Sequence, residues 1–209
     1  MVAAGSARAL LLASGRSALR NEFVALRHGW SKANEAGLII SRIERGRLSD
    51  YGLHAKGRAQ AAAVTAPLRT LAGGRDVVVL ASDFSRTLET AEIAAGPLGC
   101  DIVATPALRE RDFGDYEAGP NTAYDAVWEE DAVAASHASR GVEPVLSVLA
   151  RAAAAVKAAD EKCEDSLILS VSHGDCLQIL QTAFADVDPR FHRALPHLET
   201  CELRPLPLV

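Results

Sequence analysis

Short apolar runs alternate with stretches of helical periodicity from residue 22 onward. Three runs are apolar almost throughout and have the length of buried strands, at residues 23–26, 76–82 ("DVVVLAS") and 166–172 ("SLILSVS"). A fourth strand is predicted at residues 101–105. Between the runs, apolar residues three and four positions apart predict helices over residues 52–72, 87–95, 144–157 and 177–184. The first of these helices should end at the glycine pair 73–74.

Strands without polar alternation, separated by helices, are typical of a parallel sheet covered by helices on both faces. The sequence therefore predicts an α/β fold with a mostly parallel central sheet. No internal repeat, low-complexity tract or linker interrupts residues 22–209, so these residues should form one domain. In such sheets, ligands bind at the carboxyl ends of the strands.

Composition and charge exclude several classes of partner. A net charge of -5 gives no general attraction to nucleic acid or to anionic lipid, and no apolar run approaches the roughly 20 residues of a membrane helix. We therefore expect neither nucleic acid nor membrane as a partner. An anionic ligand must be met by a local cluster of arginines. The four cysteines lack a metal-ligand or disulfide rhythm, which favours a reducing compartment.

Residues 1–21 differ from the rest of the chain. They carry three arginines, several serines and no acidic residue, which is the composition of an organelle transit segment. An ordinary amphipathic N-terminal helix or a tag remnant explains them equally well. The first interpretation predicts a mitochondrial or plastid protein, and the second a cytoplasmic one. The sequence carries no signal for oligomeric state.

Polar residues suited to phosphate follow three of the predicted strands. Arg27, His28 and Gly29 follow the first, residues 82–86 the second, and residues 172–174 the last. The segment 108–117, "LRERDFGDYE", follows the remaining strand and adds acidic groups. Each feature alone has an ordinary structural explanation: a His-Gly pair is usually a turn, and Arg86 could pair with Glu89 or Glu92 on its helix. Their joint occurrence at successive strand ends indicates one anion-binding crevice.

Four motifs in this order resemble those of the histidine phosphatase superfamily, in its phosphoglycerate mutase-like branch. The motifs are "RHG" (27–29), "SDFSRTLETA" (82–91), "LRERDFGDYE" (108–117) and "VSHGD" (171–175). The resemblance runs from about Glu22 to the C-terminus and leaves residues 1–21 uncovered. It implies a three-layer α/β/α sandwich, in agreement with the apolar pattern.

The resemblance also implies roles for individual residues. His28 would be the nucleophile that forms a phosphohistidine, and Arg27 and Arg86 would clamp the phosphoryl oxygens. His173, protonated, would stabilise the charge on those oxygens. Glu110 would protonate the leaving oxygen and later activate water, which requires a raised pKa.

Two further residues match positions that contact phosphate in the family, namely Asn34 and the backbone N–H of Gly174. We expect no metal and no cofactor, because the arginines and histidines supply the positive charge that Mg²⁺ supplies in other phosphoryl transfers. Two positions depart from the family pattern. Trp30 should make the pocket entrance bulkier and less polar, and His54 replaces a helix-capping threonine.

The segment 115–140 bears on the choice between phosphatase and mutase. It contains six acidic residues and a single arginine, Arg140. Such a lid would repel a phosphorylated acid, which favours a phosphatase that hydrolyses a small phosphomonoester, unless these acids form a solvated helix face turned away from the pocket. Tyr124 and Trp128 would either pack this helix on the core or line the leaving-group pocket. A phosphoglycerate mutase and a non-catalytic phosphate-binding protein are the alternatives.

Overall fold

The computed structural model describes residues 7–12 and 18–208, and its elements follow the apolar pattern of the sequence. The strands are β1 (Glu22–Arg27), β2 (Val77–Ser82), β3 (Ile102–Thr105), β4 (Leu167–Ser172) and β5 (Leu203–Pro205). The α-helices are α1 (Lys32–Ala36), α2 (Ile43–Gly46), α3 (Ala55–Ala72), α4 (Ser85–Ala95), α5 (Tyr124–Val133), α6 (Val145–Asp160) and α7 (Gly174–Ala185). Short 3-10 turns, including Ala7–Leu10 and Pro189–Ala194, connect them.

The strands form a single sheet in the order β3-β2-β4-β1-β5. β1, β2, β3 and β4 are parallel, whereas β5 runs antiparallel to β1. The predicted, mostly parallel sheet is therefore confirmed. In the register of β1 with β4, Arg27 lies opposite Ser172, so the residues that follow these two strands emerge side by side.

Helices cover both faces of the sheet, as expected for a three-layer sandwich. Successive side chains of a strand point to opposite faces. Phe23 and Ala25 pack with α6 and α7, while Val24 and Leu26 pack with α3 and α4. Each face thus has its own buried apolar cluster, and these two clusters fix the sheet between the helical layers.

Several elements were not predicted by the apolar pattern, namely α1, α2, α5 and β5. Other boundaries shift by a few residues. The helix expected from Gly52 begins at Ala55, because the His54 side chain caps it by accepting the N–H of Lys56. The helix expected at 177–184 begins at Gly174, so its N-terminus lies directly beside His173.

Part of the N-terminal extension packs on the domain. Leu11 is fully buried in the cluster formed by α6 and α7, and the Asp160 carboxylate accepts the backbone N–H groups of Arg20 and Asn21. Residues 1–6 and 13–17 lie outside the described residues, so a transit segment stays a prediction. Among residues 7–12 and 18–208, no helix combines the length and hydropathy needed to cross a bilayer.

A close backbone contact fixes the loop that follows β1. A Cβ atom on Gly57, in the first turn of α3, would lie 2.1 Å from the carbonyl oxygen of Trp30. A Cβ atom on Gly29 would lie 2.5 Å from the carbonyl oxygen of Gly57. The loop is also held by a hydrogen bond from Gly29 N–H to the Thr90 hydroxyl, 3.0 Å. Two glycines thus let α3 press against the segment next to His28.

We predict that Gly57→Ala lowers the free energy of unfolding by about 1–3 kcal/mol, the usual cost of overpacking a site whose neighbours are backbone atoms. Urea denaturation followed by circular dichroism would measure this change. Gly96→Ala is the matched control, because Gly96 has a right-handed backbone and no atom within 4 Å of an added Cβ. Equal stability of the two variants would contradict the prediction.

Candidate active site

Arg86 lies between the two histidines predicted to be catalytic. Its Nε donates to His28 Nε2 (3.1 Å), and its Nη2 contacts His173 Nδ1 (2.9 Å) and donates to the carbonyl of Ile40 (2.9 Å). All three side chains are buried. Burial lowers the pKa of Arg86 to about 10, so the guanidinium keeps its charge at neutral pH. Arg86, on α4, therefore joins the histidine that follows β1 to the histidine that follows β4.

The contacts of His28 fix its tautomer. Its Nδ1 lies 2.8 Å from the carbonyl oxygen of Gly29, which can only accept, so this nitrogen carries the proton. Burial, reinforced by the charges of Arg86 and Arg27, lowers the pKa of His28 well below its ordinary value. The ring is consequently neutral, with the lone pair on Nε2, as nucleophilic attack requires.

His173 is also neutral in this arrangement, contrary to the expectation of an imidazolium. Its Nδ1 faces a donor, the Arg86 guanidinium, and therefore has to accept, while its Nε2 lies 2.8 Å from the Ser82 hydroxyl. Burial and the charge of Arg86 lower the pKa of His173 well below its ordinary value. His173 is thus a neutral hydrogen-bonding group whose donor, Nε2–H, contacts Ser82.

Each of the two predicted arginines presents a buried N–H donor that has no hydrogen-bond partner within residues 7–12 and 18–208. These donors are Arg27 Nε and Arg86 Nη1. An unsatisfied buried donor costs about 1–3 kcal/mol, and a tetrahedral oxyanion would satisfy both. The Arg27 guanidinium is held by its Nη1, which lies 2.8 Å from the carbonyl of Leu198 and 2.8 Å from His197 Nε2.

Glu110 has the raised pKa expected of a proton donor. Burial is the main cause, the charge of Asp175 adds to it, and the charge of Arg86 opposes it. The carboxyl Oε1 accepts the backbone N–H groups of Arg111 (3.0 Å) and Cys176 (3.1 Å). The second contact ties Glu110 to the first turn of α7, next to His173.

Sequence reasoning missed the residues that hold the Glu110 loop in place. Arg151 on α6 donates to the backbone carbonyls of Ala107, Arg109 and Glu110 at 2.8–3.2 Å. Arg109 forms a two-pronged ion pair with Asp83 at 2.7 and 2.6 Å. The position of Arg151, on a helix far along the chain from any motif, offers no local signal. Asp83 adjoins Ser82 in a quoted motif and could have been found.

The two less specific predictions concern Gly174 and Asn34. A Cβ atom on Gly174 would lie 3.5 Å from Arg27 Nε, so this glycine adjoins Arg27 at the start of α7. The phosphate contact expected of Asn34 stays a prediction. The Asn34 Oδ1 accepts from the backbone N–H and the hydroxyl of Ser31, as part of the capping box that begins α1.

Aromatic residues of α5 adjoin the cluster. Tyr124 and Trp128 stack with ring centroids 5.3 Å apart, and the Arg193 guanidinium lies 3.7 Å from the Trp128 centroid. Burial, reinforced by the charge of Glu110, raises the pKa of Tyr124, so its phenol stays protonated. Tyr124 also packs on Phe113 in the core, so it packs α5 on the core and is close enough for the charges of Glu110 and Arg86 to act on it.

Trp30 stands at the other side of the loop. Its indole Nε1 donates to Glu35 (2.8 Å) and the Lys56 ammonium lies 4.5 Å from the ring centroid. These contacts turn the indole toward α1 and α3. The large Trp30 side chain therefore joins the loop after β1 to helices α1 and α3.

The acidic segment 115–140 is less repulsive than its composition suggests. Glu117 accepts from the backbone and hydroxyl of Ser41 at 2.8 and 2.7 Å, and Asp131 is fully buried against Arg111. Two of its acids thus have internal partners, whereas Asp115, Asp125 and Glu129 are exposed. Glu130 is partly exposed and lies 3.3 Å from His137 Nδ1. The expected repulsion is therefore reduced, because Glu117 and Asp131 do not contribute to it.

A buried ion network links α5 to α7 behind Glu110. Arg111 is fully buried and donates to both oxygens of Asp131 at 2.6 and 2.7 Å and to Asp175 at 3.3 Å. Asp175 also accepts the indole N–H of Trp128 at 2.9 Å. Burial acts to raise the pKa of Asp175, but the neighbouring His192 and Arg111 outweigh it and hold the pKa well below its ordinary value. The network therefore keeps the Asp175 carboxylate ionised.

We predict that Asp131→Asn costs about 3–5 kcal/mol of stability, because it leaves the buried Arg111 charge with one partial partner. Urea denaturation would measure the loss. Arg190→Gln is the control, since its pair with Asp188 is exposed and should contribute less than about 1 kcal/mol. A loss below 1 kcal/mol for Asp131→Asn would overturn the prediction.

Comparisons with known proteins place this geometry in a family. The chain is 32% identical over 183 residues to a probable phosphoglycerate mutase, GpmB, of Enterobacter sp. (strain 638), covering 85% of this chain and 80% of that protein. It resembles the solved structure of Bacillus stearothermophilus YhfR, with 26% identity, a TM-score of 0.70, and coverage of 88% and 89% of the two chains. It shares the fold of mycobacterial glucosyl-3-phosphoglycerate phosphatase, with 24% identity, a TM-score of 0.72, and coverage of 87% and 90%. Residues 23–206 match the model of the histidine phosphatase superfamily, branch 1, and the chain belongs to this superfamily.

Proposed function

We propose that the protein is a phosphatase that hydrolyses a small phosphomonoester through a phosphohistidine on His28. The observation that carries this proposal is the contact of Arg86 with both His28 and His173 at the end of the parallel strands. It brings a neutral imidazole nucleophile, a fixed positive charge and orphaned N–H donors into one buried cluster. Phosphoryl transfer needs this combination of positioning and charge stabilisation.

In the first step, His28 Nε2 attacks phosphorus and the bond from phosphorus to the leaving oxygen breaks. The Gly29 carbonyl keeps the proton on Nδ1, so the attacking lone pair is the one on Nε2. The N–H donors of Arg86 turn from the imidazole to the phosphoryl oxygens, which frees that lone pair. Arg27 and the His173 side of the cluster bind the remaining oxygens.

Glu110 supplies the proton that the leaving oxygen takes up. Burial raises the pKa of Glu110, which favours the protonated carboxyl that a proton donor needs. Both of its backbone contacts use Oε1, so Oε2 is the oxygen that carries the proton. In the second step the carboxylate takes a proton from water as the water oxygen attacks phosphorus. The bond from phosphorus to His28 Nε2 breaks, its electron pair returns to the ring, and phosphate leaves.

The arginines of the segment 106–143 support hydrolysis over mutase activity. Arg109 is bound to Asp83 and Arg111 to Asp131 and Asp175, while Arg140 lies 5.5 Å from the Tyr116 ring centroid. Each of these cations already has a protein partner. A mutase must hold the second anionic group of its substrate while the phosphoryl group is returned, and this segment offers no uncommitted cation among its described residues for that task.

Phosphoglycerate mutase activity is the second candidate. The name of the Enterobacter relative supports it, as does Arg193, which lies against Trp128 and whose charge interacts with those of Arg27 and Glu110. In a mutase this guanidinium would hold a carboxylate on the leaving group. A non-catalytic phosphate-binding protein is the third candidate, and one assay on phosphomonoesters distinguishes all three.

We expect phosphate release without isomerisation when the purified protein is incubated in EDTA with a panel of phosphomonoesters. The panel includes 3-phosphoglycerate, fructose 2,6-bisphosphate, sugar phosphates, nucleotides and a phosphotyrosine peptide. Rapid quenching should trap an acid-labile, base-stable phosphoenzyme that His28→Ala abolishes. Isomerisation of 3-phosphoglycerate would establish the mutase instead, and no reaction with any of the substrates would favour a binding protein. Loss of activity in EDTA would contradict metal-independent chemistry.

We predict that Glu110→Gln lowers kcat for alkyl phosphates by about 10²–10⁴-fold, the usual contribution of a general acid. The loss should be smaller for p-nitrophenyl phosphate, whose leaving group departs without a proton. Comparing kcat for the two substrates in wild type and variant measures the difference. Equal losses for both would argue against Glu110 as the proton donor.

A further inference from the structure

A chain of hydrogen bonds lies behind Arg27 and contains residues that have no role in the chemistry above. Gln178, fully buried on α7, donates from Nε2 to the carbonyl of Leu195 at 2.6 Å. This contact fixes the orientation of the amide, so its Oε1 is the acceptor. That oxygen contacts His197 Nδ1 at 3.0 Å and also accepts from Arg193 Nη1.

The orientation of Gln178 determines the tautomer of His197. Because Gln178 Oε1 can only accept, His197 Nδ1 carries the proton in the neutral ring. The lone pair is then on Nε2, which accepts from Arg27 Nη1 at 2.8 Å. The same Arg27 nitrogen donates to the carbonyl of Leu198 at 2.8 Å.

Both protons of Arg27 Nη1 are therefore committed to the protein. The other edge of the guanidinium is the functional one: Nε is buried without a protein partner and lies against Gly174 at the start of α7. A planar guanidinium whose far corner is pinned at two points presents its remaining donors in one orientation. Such preorganisation reduces the entropy that phosphate binding would otherwise cost.

We propose that His197, oriented by Gln178, is a positioning residue that holds Arg27 in the geometry that binds the phosphoryl group. The proposal rests on the phosphate-binding function proposed above. It assigns the segment that follows α7 a direct part in building the phosphate site, although that segment contains none of the recognised motifs.

The state of His197 should then control anion affinity. The charged groups that act on its ring are Arg27, Arg193, Glu199 and Asp175, and Arg204 donates to its carbonyl. His197 is exposed at the surface, but desolvation by the surrounding protein, reinforced by the charges of Arg27 and Arg193, lowers its pKa below the ordinary value. Protonation would place an Nε2–H against the Arg27 donors. Neutral His197 holds Arg27, so affinity should be highest above this pKa and fall as the pH drops through it.

Inorganic sulfate is the probe for this effect, because it is an isostere of phosphate that stays a dianion between pH 5 and 8. We would measure its Kd by NMR titration over this range for wild type, His197→Gln and His197→Phe. The Gln side chain keeps an acceptor for Arg27 but does not titrate. His54→Asn is the control, since His54 is exposed at the N-cap of α3 and asparagine is a good cap.

We expect His197→Phe to weaken sulfate binding about tenfold at pH 7.5, which corresponds to about 1.4 kcal/mol, and to raise KM more than it lowers kcat. His197→Gln should stay within about threefold of wild type and lose the fall in affinity at acid pH. His54→Asn should keep the fall in sulfate affinity at acid pH. Unchanged sulfate affinity in His197→Phe, or a fall in affinity at acid pH that persists in His197→Gln, would overturn the proposal.

A spectroscopic measurement separates this proposal from the proposed function. ¹H–¹⁵N correlation of the histidine ring nitrogens should show His197 as the Nδ1–H tautomer at pH 7.5, whether or not the protein turns over any phosphomonoester. An Nε2–H tautomer would overturn the positioning role of His197 even if the protein is an active phosphatase. If the protein is inactive on every phosphomonoester but shows the expected tautomer and sulfate profile, the phosphatase proposal is rejected and the role of His197 stands.

Discussion

The charge of Arg86 is the constraint on which the cluster of His28, His173 and Arg27 depends. Its guanidinium is buried between two imidazoles and keeps its proton at neutral pH. Burial and this positive charge together hold His28 and His173 neutral, and the same guanidinium offers donors to an anion. The arrangement is electrostatically unfavourable for the isolated residues, because desolvated positive charge has no carboxylate directly beside it. It is the sort of strain that a phosphoryl dianion relieves.

The surrounding fold supplies the rigidity that this strained cluster needs. The strands β1, β2 and β4 deliver their polar ends to one edge of the sheet, and backbone contacts through Gly29 and Gly57 lock the loop after β1. Arg111 and its two carboxylate partners, Asp131 and Asp175, join α5 to α7. Charged side chains thus serve two distinct purposes: some neutralise each other within the core, and others are left for a ligand.

The strands and the catalytic cluster could be predicted because their signals are local. Apolar runs mark β2 and β4, and each of the clustered residues directly follows a strand or lies in a quoted motif. The short strand β5 has only three residues, too few for a pattern. Whether Asp131 and Glu117 repel a ligand or stabilise the core depends on Arg111 and on the backbone of Ser41, which are distant in sequence. The neutral state of His173 likewise follows from a three-dimensional contact, since its neighbours in the chain give no indication of it.

The position of β1 in the sheet has a consequence for the order of folding. β1 comes early in the chain, yet it pairs with β4 on one side and β5 on the other, and both of these come after residue 166. Contacts between distant segments form slowly, because the long loop between them must first be closed. The cluster of Arg27, His28 and His173 therefore cannot form on a nascent chain until β4 and β5 have emerged and docked. Synthesis of β1 and the assembly of this buried cluster are thereby separated in time.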